Sequence, residues 1–318
     1  MWSDVLDRQK LVDRAYQKGK NLNLSNRNYF AHTHAFFEKE FIDDVGAGDI
    51  TSNSVLRKNE SRTAFLNFKE SGIISGIEEV NWFLKKHGIT VTAYAKDGEK
   101  VIKGKTVLKI QGNQKDILAT ERIVLNLLQR MSGIATETKR LTNLLKDYNT
   151  RIAATRKTLL RYFDKKAVFL GGGLTHRIGL WDSILIKDNH LEILKNEGKM
   201  DYIETAISKA SVLSNKVDFI EIEVTSTNDA INATKKFKEL CLKTPCIVML
   251  DNMPPSEIEQ ILETLRKVDL YDYVLFEASG DITPQNIRDY AKTGIDVVSL
   301  GYLTHSTHVL DMSLEMTL

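Results

Sequence analysis

From Arg151 onward, short apolar runs alternate with helix-like segments, and each run ends at a polar or small residue. The runs are Ile152-Ala153-Ala154-Thr155, Ser183-Ile184-Leu185-Ile186, Phe219-Ile220-Glu221-Ile222-Glu223, Cys246-Ile247-Val248-Met249-Leu250, Val274-Leu275-Phe276-Glu277 and Val297-Val298-Ser299-Leu300. This pattern predicts a parallel sheet, because parallel neighbours need a crossover segment that is usually a helix. Six strands suit a doubly wound sheet or most of a barrel. The residues at the strand ends separate the two: Arg156-Lys157, Lys187-Asp188-Asn189-His190, Glu223, Asp251-Asn252, Ser279-Gly280 and Gly301. An open sheet concentrates its site at one switch point. A barrel gathers residues from every strand at its C-terminal mouth, so the barrel is favoured.

The chain has 318 residues, which leaves room for a second domain beside a barrel. Its net charge of +2 is too small to suggest a nucleic-acid partner, so cationic clusters are local features. Lys85-Lys86 and Lys235-Lys236 lie among acids and read as solvated helix faces. The two cysteines, Cys241 and Cys246, are too few for a disulfide framework and read as reduced packing residues. Met1-Trp2-Ser3-Asp4 lacks the apolar segment of a signal peptide. No apolar run approaches the ~20 residues that span a bilayer. The expected compartment is the cytoplasm.

Residues 1–37 read as a mostly helical extension; His32 and His34 have no third ligand nearby and are not read as a metal site. Residues 38–149 read as an α+β domain with linking helices. Its strand-like runs are Arg62 to Phe68, Thr90 to Tyr94 and Lys105 to Ile110, with a helix from Glu78 to His87. Ile117, Leu118, Ile123, Val124, Leu127, Leu128 and Met131 recur at helical spacing. Ser132-Gly133 is expected to break that helix, with a second one continuing to Tyr148. Residues 150–302 form the expected barrel, and 303–318 a segment packing back toward the N-terminal domain.

Arg156, Lys157, Arg177 and Lys187 would meet at one mouth. Arginine matches a carboxylate bidentately and lysine supplies a compact charge, so the group reads as a small-polyanion site. The structural alternative is salt bridges to Asp164, Asp182 and Asp188. The triple glycine 171–173 reads as a turn that lets His176-Arg177 reach the mouth, where His176 is as well suited to a structural role as to a chemical one. Glu223 and Asp251 suit ribose hydroxyls, Mg²⁺ held through water, or a developing cation. Glu221 lies on the same side of its strand as Glu223. One of these two is expected to be a buried acid balancing a lysine. Ser279-Gly280 and Gly301 present backbone N–H groups to a phosphate, at the last two strand ends where barrels commonly bind one.

In these motifs the chain resembles quinolinate phosphoribosyltransferase, also called carboxylating nicotinate-nucleotide pyrophosphorylase. Further matches are Gly48-Asp49-Ile50-Thr51-Ser52, Glu121-Arg122, Asn126 to Thr136, Thr155 to Thr158 and Leu303-Thr304-His305-Ser306. The resemblance implies an open-sandwich N-terminal domain and an incomplete α/β barrel, with the active site completed across a homodimer or higher oligomer. The implied substrates are quinolinate and 5-phosphoribosyl-1-pyrophosphate, with Mg²⁺. Arg156, His176, Arg177 and Lys187 are implied to bind the quinolinate carboxylates, with Arg122 entering from a partner subunit. Lys157 stands alongside and joins Glu223 and Asp251 as the implied catalytic group. Glu223 and Asp251 also face the metal, and Ser279, Gly280, Gly301 and His305 the phosphoribosyl phosphate.

The chain departs from the family pattern at Leu159-Leu160-Arg161, a loop two residues shorter, and at Asp281, where the family has a second glycine. Two other readings compete. A paralogue of the same fold would use a different acid or base, but the Lys187–His190 stretch favours quinolinate over the molybdenum-associated relatives. A non-catalytic barrel is supported by Asp281 and opposed by Glu223 and Asp251.

Overall fold

The computed structural model describes residues 5–56 and 60–317; Met1–Asp4, the polar start of the chain, lie outside the described residues. Two units are built from interleaved stretches. One comprises residues 19–140, 159–172 and 303–318, and the other residues up to 18, 141–158 and 173–302.

The first unit holds an antiparallel sheet. Its strands are β1 (Ser61–Phe68), β3 (Thr90–Ala93), β5 (Thr106–Asn113) and β12 (Met312–Thr317), in the order β12-β1-β5-β3. The short β2 (Gly72–Ile73) and β4 (Lys100–Val101) pair separately. Ala64, Leu66 and Phe68 alternate as the buried positions of β1, which leaves one face of this strand for the core. Helices α2 (Arg27–Val45), α3 (Ile50–Val55), α4 (Ile77–Lys86) and α6 (Arg161–Leu170) belong here with most of α5 (Gln114–Leu144).

Helix α5 runs unbroken through Ser132-Gly133, contrary to the expected interruption. The reason lies in packing. The Ser132 hydroxyl accepts the Ser75 backbone N–H at 3.1 Å, and a Cβ on Gly133 would stand 1.9 Å from the His308 carbonyl oxygen. Glycine permits close approach there and does not terminate the helix.

In the second unit the strands are β6 (Arg151–Ala154), β7 (Ile184–Ile186), β8 (Ile220–Val224), β9 (Cys246–Asp251), β10 (Leu275–Ser279) and β11 (Val297–Leu300). They form one sheet ordered β6-β11-β10-β9-β8-β7, and every pair is parallel. From β7 onward each strand pairs with its neighbour in sequence, and the last strand returns to the first. That cyclic order belongs to a barrel. Between β6 and β7 there is no ladder; a single parallel bridge, Ala153 with Leu174, occupies that side of β6. The barrel is therefore incomplete, as the resemblance implied.

Helices α7 (Asp188–Asn196), α8 (Tyr202–Ser211), α9 (Thr227–Leu240), α10 (Pro255–Lys267) and α11 (Ile287–Lys292) connect the strands, with the short α12 (Tyr302–His305) after them. Cys241 ends α9 in an exposed position, and Cys246 opens β9 with its thiol pushed up to about 12 by burial. Helix α1 (Val5–Tyr16) belongs to the barrel unit. Its Leu11, Val12, Ala15 and Tyr16 share a buried cluster with Leu174 and with Phe219, Ile247, Leu275 and Val297, the last four at or near the N-terminal ends of strands. Arg8 anchors this helix through a two-pronged pair with Asp296, Nε to Oδ1 at 3.0 Å and Nη2 to Oδ2 at 2.5 Å.

Candidate active site

Parallel strands of a barrel all run the same way, so the residues just past their C-terminal ends converge on one mouth. Arg156 and Lys157 lie just after β6 in exposed positions. Arg177 lies just after the segment bridged to β6 and is only 5% exposed. Lys187 succeeds β7 and is half-buried. Glu223 lies near the end of β8, Asp251 ends β9, Ser279 ends β10, and Gly301 comes directly after β11.

Among the described residues, no salt bridge joins Arg156 or Arg177 to a carboxylate. The candidate neutralising acids are engaged elsewhere. Asp164 receives Arg130 at 2.8 and 2.7 Å within the other unit. Asp182 accepts the Ile178 N–H at 2.6 Å and lies 3.7 Å from Lys18. Asp188 accepts the N–H of Asn189. Burial, reinforced by the neighbouring Arg156, lowers the pKa of Arg177 from its ordinary value. Glu221 and Asp182 oppose that shift without forming a salt bridge to Arg177. Two neighbouring guanidinium groups with no salt-bridged carboxylate among the described residues favour a bound anion.

Lys187 does have a partner, since it forms an ion pair with Glu223. Of Glu221 and Glu223, the buried acid balanced by a lysine is therefore Glu223. Burial raises the pKa of Glu223 and Lys187 opposes it, while Asp251 and Asp188 push it further up. Asp251 is thus close enough to interact with Glu223, and two adjoining carboxylates are a donor set that suits Mg²⁺. The rest of the Lys187–His190 stretch opens α7: His190 Nδ1 accepts the Lys187 N–H, and the His190 N–H reaches the Lys187 carbonyl, both at 2.9 Å.

His176 lies inside the barrel and is 5% exposed. Its Nε2 is 3.3 Å from Glu221 and 3.4 Å from Glu277, two fully buried acids on β8 and β10. Its Nδ1 accepts the N–H of Arg177 at 2.7 Å. Burial disfavours a charged ring, but Glu277 and Glu221 outweigh it and raise the pKa to about 9. The Arg177 amide opposes them, because a proton on Nδ1 would face a second N–H at 2.7 Å. Burial and the Glu277 charge raise Glu221 to about 7. Nε2 faces both acids while Nδ1 serves the Arg177 N–H. Burial also resists ionisation of Glu277, yet His176, Ser299 and Tyr16 together hold its pKa below the ordinary value.

The Glu221–Glu277 pair around His176 was not anticipated as a unit. Its signal was a fully buried acid within each of two largely apolar strands, Glu221 in β8 and Glu277 in β10. Which acids share an interior position depends on barrel register, which no local pattern records.

On the opposite side, Gly280 has φ of 92°, and a Cβ there would stand 2.1 Å from Asn252 Oδ1. Asn252 in turn donates its N–H to the Ser279 carbonyl at 2.9 Å. The loops after β9 and β10 are thereby drawn together. Asp281 is exposed, with φ of 43°, and its carbonyl accepts Asn286 Nδ2 at 3.0 Å. Arg122 and His305 belong to the other unit, where both are exposed. His32 packs on Tyr162 and His34 on Trp82, with ring centroids 4.4 and 5.6 Å apart.

Residues 134–315 match the family described as quinolinate phosphoribosyl transferase, C-terminal domain, and residues 49–132 match its N-terminal domain. The chain is 39% identical over 277 residues to a probable nicotinate-nucleotide pyrophosphorylase [carboxylating] of Methanothermobacter thermautotrophicus, covering 86% of this chain and 95% of that relative. It is 34% identical over 282 residues to the protein of the same description from Bacillus subtilis, covering 87% and 91%. Among solved structures, the nicotinate-nucleotide pyrophosphorylase from Francisella tularensis superposes with a TM-score of 0.79 at 32% identity, covering 90% of this chain and 96% of that one.

Proposed function

The chain belongs to the quinolinate phosphoribosyltransferase family, and on that premise we propose how its barrel residues carry out the family's reaction. It is a transferase of NAD biosynthesis that moves the phosphoribosyl group of 5-phosphoribosyl-1-pyrophosphate onto quinolinate, with loss of CO₂. The observation that carries the site assignment is the pair Arg156 and Arg177, neighbouring cations with no salt-bridged carboxylate among the described residues.

Arg156 and Arg177 grip the quinolinate carboxylates, with Lys157 beside them and Lys187 poised between quinolinate and Glu223. His176 acts from below, holding the Arg177 backbone through Nδ1. The quinolinate nitrogen attacks the anomeric carbon as the bond to pyrophosphate breaks. Glu223 and Asp251 stabilise the oxocarbenium-like charge on the ribose. Much of the rate comes from holding nitrogen against carbon at the correct distance. The new pyridinium then accepts the electron pair of the adjacent carbon–carboxylate bond. CO₂ departs, and a proton replaces it on the ring, giving nicotinate mononucleotide. Ser279, Gly280 and Gly301 take the 5-phosphate through backbone N–H groups, with His305 also assigned to it. Mg²⁺, when bound, would be held by Glu223 and Asp251 through water and supplies positive charge for the pyrophosphate.

We further assign the chain to a cytoplasmic homo-oligomer in which Arg122 of one subunit completes the partner's carboxylate site. Exposure of Arg122 supports that reading, and no helix among the described residues is long and apolar enough to cross a membrane. The test is incubation of the purified protein with quinolinate, phosphoribosyl pyrophosphate and Mg²⁺ while monitoring nicotinate mononucleotide and CO₂. Product only with a different acid or base would replace quinolinate as the substrate. Binding without turnover would make the barrel a binding protein.

A further inference from the structure

Helix α1 precedes both stretches matched by the family, residues 49–132 and 134–315. Its final turn nevertheless fastens onto the segment that leads to Arg177. The Tyr16 carbonyl accepts the Thr175 hydroxyl at 2.8 Å, and the Lys18 N–H donates to the same hydroxyl oxygen at 2.8 Å. Gln17 Nε2 donates to the Gly173 carbonyl at 3.2 Å. The Tyr16 ring is fully buried and meets the His176 ring edge-on, with centroids 4.9 Å apart at 74°. Phe219 completes a three-ring cluster, 5.3 Å from Tyr16 and 5.4 Å from His176.

His176 needs such support. Its φ of 53° lies in the left-handed region, which a residue with a side chain keeps only where its surroundings over-determine it. The Glu221 and Glu277 carboxylates hold Nε2 from one side, but they do not touch the backbone at 173–175. The end of α1 supplies that restraint, together with the wall against which the ring rests. Through the contact between Nδ1 and the Arg177 N–H, any rotation of the ring displaces the Arg177 backbone.

We propose that Tyr16 is a positioning residue for the substrate-carboxylate pocket, locking His176 and through it Arg177. The inference rests on the assignment of Arg177 to that pocket. It makes α1 part of the binding apparatus although it touches no substrate.

The test compares full-length wild type with Tyr16→Leu, which keeps apolar bulk but loses the flat ring edge, and with Tyr16→Phe, which keeps the edge. Tyr16→Leu is expected to raise KM for quinolinate about tenfold, with KM for phosphoribosyl pyrophosphate within about twofold of wild type. Tyr16→Phe is expected to restore the quinolinate KM to within about twofold. A folded Tyr16→Leu with an unchanged quinolinate KM, or with both KM values raised alike, overturns the proposal. If Tyr16→Leu does not fold, Thr175→Val replaces it, with the same shift supporting and the same results overturning. Wild type inert toward quinolinate refutes the functional reading alone. In that event the ring-nitrogen NMR shifts of His176 decide: a change in Tyr16→Leu supports positioning, and identical shifts overturn it.

Discussion

His176 Nε2 and the Glu221 carboxylate stand 3.3 Å apart inside the barrel, a close pair with neither side chain open to solvent. The imidazole keeps its Nδ1 for the Arg177 amide and turns its Nε2 toward the acids. A residue that sequence motifs assign to substrate is thus also the joint between a buried acidic pair and the cationic mouth.

That pair titrates with a definite sign. Burial raises Glu221 from an ordinary 4.5 to about 7, so between those values the native state holds a proton that the unfolded chain releases. Its contribution to stability is complete below pH 4.5 and is lost as pH rises through 7. Urea unfolding of the wild type should show stability falling across pH 5 to 7, by up to about 3 kcal/mol. Glu221→Gln should flatten that slope. Glu277, whose pKa is depressed, titrates below this window.

Arg177→Ala removes one of the two neighbouring guanidinium groups that have no salt-bridged carboxylate among the described residues. It should raise KM for quinolinate by about 10- to 100-fold and leave binding of phosphoribosyl pyrophosphate nearly unchanged. Steady-state kinetics with each substrate varied in turn distinguishes the two. Equal losses for both substrates would contradict the assigned role.

Gly280→Ala places a methyl group against Asn252 at a backbone conformation suited to glycine. Stability should fall by about 1–3 kcal/mol, and KM for phosphoribosyl pyrophosphate should rise more than KM for quinolinate. Adding Asn252→Gly should recover part of the stability in thermal unfolding. No recovery would place the cost in the backbone alone.

Asp296→Ala leaves the buried Arg8 guanidinium without its two-pronged partner. Unfolding in urea should show a loss of about 3–5 kcal/mol, larger than for exposed pairs such as Lys39–Asp43. A loss below about 1 kcal/mol would mean that α1 is held chiefly by its apolar cluster.

The barrel strands were readable from local pattern. Cys246 to Leu250 and Val297 to Leu300 are apolar because a parallel strand is covered on both faces. The polar residue that ends each run marks the mouth because all the strands point the same way. Arg156, Lys187, Glu223, Asp251 and Ser279 could therefore be named without coordinates. Ser132-Gly133 misled because its reason is distant: Ser75 and the His308 backbone use those positions, and neither lies near them in sequence.

The amino-acid order by itself determined the alternation of strand and helix, the strand-end chemistry and the family they mark, all of which are properties of neighbouring residues. Tertiary structure alone decided that Lys187 pairs with Glu223, that Glu221 and Glu277 enclose His176, and that Tyr16 closes on His176 from a helix far earlier in the chain. Those contacts depend on the register of strands that meet only when the barrel curls. Two acids at similar places in different strands become one site only when that curvature turns them to a common axis.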